Sequence, residues 1–390
     1  MRKIIAAVLI LAAPGACTGG GSPKASETPT TSPTPSPSSA PATPTSMSKA
    51  PPTRFIVIDS TWVSADRGWV LGKGTCGGAE CVSLRATGDG GRTWRTVTAP
   101  GGTPPAALKE DCQDPCVGSV RFANATVGYA FGPGFYVTRD GAKTWRREDA
   151  PLVLNLEISR GRAYRVVARM LGCPGPCDVR IEVSDVASRT WRRLPSPHRD
   201  FVGTGLAIQG RNVFLAGYAN TAGGAENAHT EFLRSLDGGS SWRSLPDPCG
   251  SGPDGENDTT AFASTPGGVL SVVCKSRMSP QTRQFVMTSR DAGFSFGPRR
   301  ALPRVSAEAI SLATQSTIAV AVLRANRSEV LVSRDGGRTW RMTLSVPGGE
   351  VDTRFFLGFQ NATTARAAFS GRSIWTTRDA GRTWTRSNPF

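Results

Sequence analysis

From Phe55 onward the apolar residues come in short runs, each ended by Gly, Asp, Asn or Pro, and no stretch holds a helical period of useful length. Runs of this size bounded by turn residues predict β-strands. One segment displays the unit: Ser119–Phe122 predicts a first strand, 127–131 a second, Pro133-Gly134 a turn, 135–138 a third, and 144–147 a fourth. The same order recurs over 55–97, 154–194, 205–245, 260–302, 308–344 and 353–390. The pattern therefore predicts seven units of four antiparallel strands and no second globular domain.

The gap between the third and fourth strands carries a repeated octapeptide. It reads TGDGGRTW from Thr87, TRDGAKTW from Thr138, SLDGGSSW from Ser235, SRDAGFSF from Ser289, SRDGGRTW from Ser333 and TRDAGRTW from Thr377. A worn copy, SDVASRTW from Ser184, has Val186 in place of the Asp. A period of this size signals a repeat architecture such as a propeller. The Asp at the third position can accept hydrogen bonds from backbone N–H groups, as can the Ser or Thr at the first, and Gly at the fifth allows positive φ. Six of the nine tryptophans (Trp94, Trp145, Trp191, Trp242, Trp340, Trp384) close the motif, and Phe296 closes the remaining copy, so a large apolar group is placed for burial at the start of each fourth strand.

This pattern, Ser/Thr-x-Asp-x-Gly-x-Thr-Trp, resembles the Asp box of sialidases and other Asp-box β-propellers, with seven tandem copies over 54–390. The resemblance implies an all-β, seven-bladed β-propeller of four-stranded antiparallel blades. Each Asp box is a structural hairpin between strands three and four, in which Asp89, Asp140, Asp237, Asp291, Asp335 and Asp379 lock turns away from any active site. Within that superfamily the resemblance admits glycoside hydrolases and non-enzymatic members, among them photosystem II assembly factors and sortilin-type receptors. Sialidases use an arginine triad, an Asp acid, a late Tyr nucleophile and an early Phe/Tyr-Arg-Ile-Pro motif. That tetrapeptide is absent here, and the four tyrosines (Tyr129, Tyr136, Tyr164, Tyr218) all fall in the first four repeats. Tyr129, Tyr164 and Phe214 occupy matching places in successive second strands and are assigned to packing between blades.

The start of the chain has a different texture. Met1-Arg2-Lys3 and the apolar run from Ile4 to Ala13 have the size of a signal peptide. The sequence Ala13-Pro14-Gly15-Ala16-Cys17 resembles a bacterial lipobox, with Pro14 where Leu is usual, which makes Cys17 the lipidation site. Residues 18–53 are almost all Ser, Thr, Pro, Ala, Gly and Lys, too polar to form a core. The expected organisation is a lipoprotein leader (1–17), a disordered tether (18–53) and the propeller (54–390), exported and held by lipid on the outer face of the cell membrane.

Charge and cysteines refine this picture. With 46 basic and 30 acidic residues the formal charge is +16, which points to an anionic neighbour such as a cell-wall polymer and does not by itself imply nucleic acid. Basic residues recur at the second, sixth and ninth motif positions (Arg139, Arg334, Arg378; Arg92, Arg338, Arg382; Arg95, Arg146, Arg341), so the face of the turns is expected to be positive and solvent-facing. Besides Cys17, eight cysteines suggest the disulfides Cys76–Cys81, Cys112–Cys116, Cys173–Cys177 and Cys249–Cys274, as suits an oxidising compartment. Zinc is the competing reading for the Cys-x-x-x-Cys pairs, but neither has its own His, so no metal and no cofactor are expected.

Chemistry-bearing residues are sparse. A glycosidase needs two facing carboxylates, and the loops offer Glu110, Asp111, Asp114, Asp254, Glu256 and Asp258. The histidines, His198 and His229, lie in loops of neighbouring units, with Glu226 near the second. By strand order the loops that carry the cysteines and histidines emerge opposite the boxes, so His198, His229 and Glu226 are the ligand-face candidates. No serine-nucleophile elbow, phosphate loop or metalloprotease helix occurs. The sequence therefore reads as a surface-anchored binding or scaffold module for an extracytoplasmic glycan or protein, with a glycoside hydrolase as the alternative.

Overall fold

The structure, a computed structural model, describes residues 6–8, 55–105, 114–169, 178–195, 199–219, 229–252, 255–265, 268–276, 283–303, 305–324, 327–347, 355–369, 371 and 373–389. It is all-β: seven blades of four antiparallel strands form a propeller ring. Blade one runs from the inner strand Phe55–Trp62 through Gly68–Cys76 and Ala79–Thr87 to the outer strand Arg95–Val97. The inner strands of the next blades are Ser119–Phe122, Leu152–Ser159, Arg199–Gln209, Gly255–Ser264, Ser306–Leu312 and Phe355–Phe359. A further short strand, Ala6–Val8, pairs with residues 261–263 of the fifth inner strand. Blades three and four are also hydrogen-bonded to each other, since Asp178 and Val179 pair with Asp200 and Arg199.

The ring follows from how the apolar residues are shared. They fall into seven buried groups, and each group joins the facing surfaces of two adjacent blades. Each layer also receives the aromatic that closes the repeated motif of its later blade. Trp145 packs into the layer between blades one and two, Trp191 between two and three, Trp242 between three and four, and Phe296 between four and five. Trp340, Trp384 and Trp94 do the same for the last three interfaces. Indole N–H groups find acceptors on the way: Trp145 donates to the Thr98 carbonyl at 2.9 Å and Trp384 to Thr343 Oγ1 at 3.1 Å. Tyr129, Tyr164 and Phe214 are buried in these layers, as their strand positions predict.

Among the described residues no strand is exchanged where the ring closes: blade seven ends on its own outer strand Thr385–Ser387, and blade one begins on its own inner strand. One backbone bond and several side chains make the seam instead. The Val57 N–H donates to the Gly371 carbonyl at 2.9 Å, and Gln360 Nε2 donates to the Ser64 carbonyl at 2.9 Å. Arg366, at 1% exposure the largest fully buried side chain, donates to the Ala65 carbonyl at 2.6 Å and to Gln360 Oε1, with its guanidinium 3.4 Å from the Trp62 ring centroid. Burial lowers its pKa, yet the planar fork satisfies a backbone carbonyl and an amide while stacking on an indole, which an ammonium cannot do in one place. Replacing Arg366 by Met leaves those acceptors unpaired at the seam. The expected loss is about 2–4 kcal/mol, read as a lower denaturant midpoint, with Arg366→Lys recovering only part of it.

Candidate functional site

The ring has two unlike faces. Hairpins joining strands one to two and three to four emerge on one side, and interblade connections and hairpins from strand two to three emerge on the other. The two hairpins of each blade on the first side are tied together. Gly90 N–H donates to the Asp66 carbonyl, Gly141 to Thr126, Gly238 to Arg211, Ala292 to Gly268, Gly336 to Ser316 and Ala380 to Thr363. In the worn copy Val186 donates to Gly161.

Within each turn the hydrogen bonds repeat almost atom for atom. In blade six, Ser333 Oγ donates to Asp335 Oδ1 and accepts from the Gly337 N–H, while Thr339 donates its N–H to Oδ1 at 2.9 Å and its hydroxyl to Oδ2 at 2.6 Å. Asp89, Asp140, Asp237, Asp291 and Asp379 are held the same way. The fourth and fifth positions both need positive φ, which Ala142 and Ala292 adopt at 69° and 57° where glycine is missing. Where Val186 has replaced the carboxylate, Ser188 Oγ takes over as acceptor for the Thr190 N–H. Side-chain hydrogen bonds from Thr93, Ser241, Ser295 and Thr339, then the backbone N–H groups of the same residues, hold Asp89, Asp237, Asp291 and Asp335 well below the usual carboxylate range. These carboxylates are saturated locally and stay ionised, so they are turn locks and offer nothing to a ligand.

The arginines of the turns depart from expectation. Second-position arginines do not simply face solvent, because several reach the turn of the next blade. Arg139 donates to the Val186 carbonyl at 3.0 Å and to that of Ser188. Arg334 donates to Ala380 at 3.0 Å, and Arg378 Nη2 lies 2.8 Å from where a Cβ on Gly90 would sit. In blade four the second position is Leu236, 44% exposed, and Arg234 makes the reach instead, donating to Ala292 at 2.8 Å. For Ala292 and Ala380 the reach meets the carbonyl of a positive-φ residue, at 57° and 60°, a geometric reason that sequence alone does not show. Two blades lack an arginine at this position and show no substitute reach among the described residues: blade one has Gly88 there, and blade three has Asp185, which pairs within its own blade with Arg162 at 3.4 Å.

On the other face two of the four expected disulfides are present among the described residues. Cys76–Cys81 closes the hairpin between strands two and three of blade one, and Cys249–Cys274 ties the loop entering blade five to that blade's second strand. That loop is fixed further by Asp247, whose Oδ1 accepts from the Cys249 N–H at 3.0 Å and from Thr259 Oγ1 at 2.9 Å. Cys116 is disulfide-bonded, which excludes zinc ligation by its thiolate. Cys112, Cys173 and Cys177, with Cys17, lie outside the described residues, as do His198 and Glu226. His229 is described only as backbone, at the start of the strand His229–Ser235. Of the loop carboxylates, Asp114 is paired with Arg147. Glu110, Asp111 and Asp254 lie outside the described residues, and Glu256 and Asp258 are described as backbone in the fifth inner strand.

A group that sequence reasoning missed joins three inner strands. Arg121 of blade two donates from Nη1 to Asp59 Oδ2 of blade one at 2.7 Å and from Nε to Glu157 Oε1 of blade three at 3.2 Å. Asp59 also accepts from the Val120 and Ser60 N–H groups. Nothing in the local sequence around these residues signals a partnership across three repeats. Burial, opposed by Arg121, pushes the Glu157 carboxyl up to about 7.

No family model matches the chain, and no curated protein matches it. Solved structures do share its fold. A structure of YCF48 bound to D1 peptide superposes with TM-score 0.54 at 17% identity, covering 85% of this chain and 95% of that one. YCF48 from Cyanidioschyzon merolae gives 0.53 at 15%, with 85% and 97% covered. An ulvan lyase of polysaccharide lyase family PL25 gives 0.55 at 10%, with 87% and 98% covered. Binding and enzymatic propellers thus stand at similar structural distance, and the likeness at these identities is one of fold.

Two measurements follow. Asp335→Ala should lower the melting temperature at neutral pH. Because the folded-state pKa of Asp335 is depressed, its contribution is present above the unfolded carboxylate range and is lost as pH falls below it, so wild type and variant should converge in strong acid. Glu157 has the opposite sign. Its raised folded-state pKa favours folding at low pH, and that contribution is lost as pH rises from the ordinary carboxylate range, about 4.3, to about 7. Glu157→Gln should flatten the melting temperature across this window; an unchanged slope would mean that Glu157 stays ionised throughout.

Proposed function

We propose that this chain is an exported lipoprotein whose Asp-box propeller, held on the outer face of the membrane by lipid at Cys17 and the tether that follows, binds or scaffolds an extracytoplasmic glycan or protein. The observation that supports this best is the bracing of the loop face. Disulfides at Cys76–Cys81 and Cys249–Cys274, with the bonded Cys116, gather opposite the locked turns. Loops ordered in advance lose less freedom on binding. The neighbours fit either ligand class: one YCF48 structure holds a D1 peptide, and an ulvan lyase of similar fold holds -[GlcA(1-4)Rha3S]-.

One observation favours the alternative, a glycoside hydrolase. Asp59 and Glu157 flank Arg121, and Glu157 is poised near neutrality as a general acid would be. Both carboxylates share one guanidinium, however, and Glu157 is 1% exposed. A glycosidic bond needs open access to both, so the binding role is preferred.

The test uses the full chain expressed with export. Mass analysis of the mature N-terminus is expected to give diacylglyceryl-Cys17, and arrays of envelope glycans and peptides are expected to give a ligand. Its binding should weaken in the Cys249→Ser/Cys274→Ser variant and persist in Asp335→Ala. An unmodified start beyond Cys17 removes the anchor, and a glycan cleaved by wild type but left whole by Glu157→Gln replaces binding with hydrolysis.

A further inference from the structure

The break in the arginine series at blade three leaves an opening. Between blades three and four, on the face of the turns, lies a cleft of about 440 Å³. It sits where a second-position arginine from blade three would reach the Gly238 carbonyl; Tyr164 approaches that carbonyl instead, with its hydroxyl 3.5 Å away. The two blades are joined by backbone pairing at the opposite end of their strands, so the opening is confined to this face.

The cleft is lined by three guanidiniums from separate segments. Arg160 lies on the hairpin of blade three, Arg162 begins the next strand, and Arg211 lies on the corresponding hairpin of blade four. Their surroundings leave them available. Arg162 shares only a 3.4 Å ion pair with Asp185, both side chains being more than half exposed at 54% and 70%. Asp237 also lines the cleft, but its carboxylate is taken up by Ser235, Ser240 and Ser241 of its own turn, and Arg211 reaches only its backbone carbonyl, at 3.3 Å. Arg160 has no polar partner among the described residues.

Two features look built for a ligand and not for folding. Arg160 has φ 50°, a left-handed conformation that a residue with a Cβ adopts at some strain, in a two-residue hairpin whose counterpart in blade four places Gly210 there. Ser159 Oγ then accepts from the Gly210 N–H at 3.1 Å and donates to the Gly210 carbonyl, pinning the two hairpins together and fixing Arg160 relative to Arg211. The strain holds a guanidinium at the mouth of a cleft where glycine would serve the turn better.

We propose that this cleft binds an acidic saccharide, with Arg160, Arg162 and Arg211 holding its carboxylate or phosphate. Guanidinium forks match such oxyanions in two parallel hydrogen bonds. The rest of the lining is Ser159, Tyr164, Gly210, Asp237, Gly238 and Ser240, with no aliphatic side chain among the described residues, which suits a polyhydroxylated ligand better than a peptide with apolar side chains. The site lies on the face opposite the disulfides, so it stands or falls independently of the loop-face reading.

Titration calorimetry of the full chain decides it, using oligogalacturonate for carboxylate, an oligophosphomannan for phosphate, neutral dextran and oligoglutamate. At least one acidic saccharide should bind and dextran should not, and which one binds identifies the oxyanion. Arg160→Gly, which relieves the left-handed backbone and should fold at least as well as wild type, should weaken binding by about tenfold or more, as should Arg211→Ala. Arg338→Ala, an exposed turn arginine of blade six, should leave it within about twofold, the small effect expected of a distant screened surface charge. Failure of both acidic saccharides to bind, equal affinity of Arg160→Gly and wild type, or an equal loss with Arg338→Ala overturns the proposal. Oligoglutamate binding as tightly as the saccharides would make the cleft a peptide site and overturn it too.

Discussion

The structure depends on a carboxylate that is hydrogen-bonded within its own turn. Each turn Asp collects two hydroxyls and at least one backbone N–H within a few residues, which fixes the turn and therefore the direction in which the next aromatic leaves it. That aromatic enters the layer shared with the preceding blade. A local bond in one hairpin thus determines a contact between blades, and six such contacts, with a seventh from the Val186 turn that Ser188 holds, close the ring. The Asp is small and, except for Asp291, half-buried, but the apolar area it aims is large, at roughly 25 cal/mol for each Å² buried.

The arginine network lies on top of this scaffold. Arg139, Arg234 and Arg334 connect one turn to the next through backbone carbonyl groups, those of Ala292 and Ala380 being on positive-φ residues. Part of the chain's positive charge is therefore structural, and net charge overstates what is free to act on a distant anion. At blade three, where the reach is missing, Arg160, Arg162 and Arg211 line a cleft instead. A break in a repeat is more informative about ligands than the repeat.

The fold was legible because its determinants are local and repeated. The octapeptide, the Trp slot and the alternating short runs each appear within one blade, and Cys76–Cys81 and Cys249–Cys274 are near neighbours in sequence. What escaped was non-local. Arg121 meets Asp59 and Glu157 across 62 and 36 residues, and no periodicity links such singular positions. The arginine-lined cleft was equally hidden, since Arg160 and Arg211 are 51 positions apart and stand out only once the hairpins are seen side by side. Asp185 in place of a second-position arginine was a visible signal, but it acquires meaning only from the reach that its counterparts make.

The seam between blades seven and one has a consequence for how the chain assembles. Every blade is encoded by consecutive residues, so strand pairing within it needs only short loops to close, and the blades can form one after another as the chain lengthens. The seam joins groups 296 and 301 residues apart, through Gln360 with Ser64 and Arg366 with Ala65. Closing a loop of that size adds little to its entropy cost beyond that of a much shorter loop, but it must wait until every blade is in place. Until then the open arc displays two apolar blade faces, Phe55 and Val57 at one end and Ala368 and Ile374 at the other. The interval between the seventh blade's synthesis and its docking is when this protein is most exposed to self-association, and Arg366 stands at the point where that interval ends.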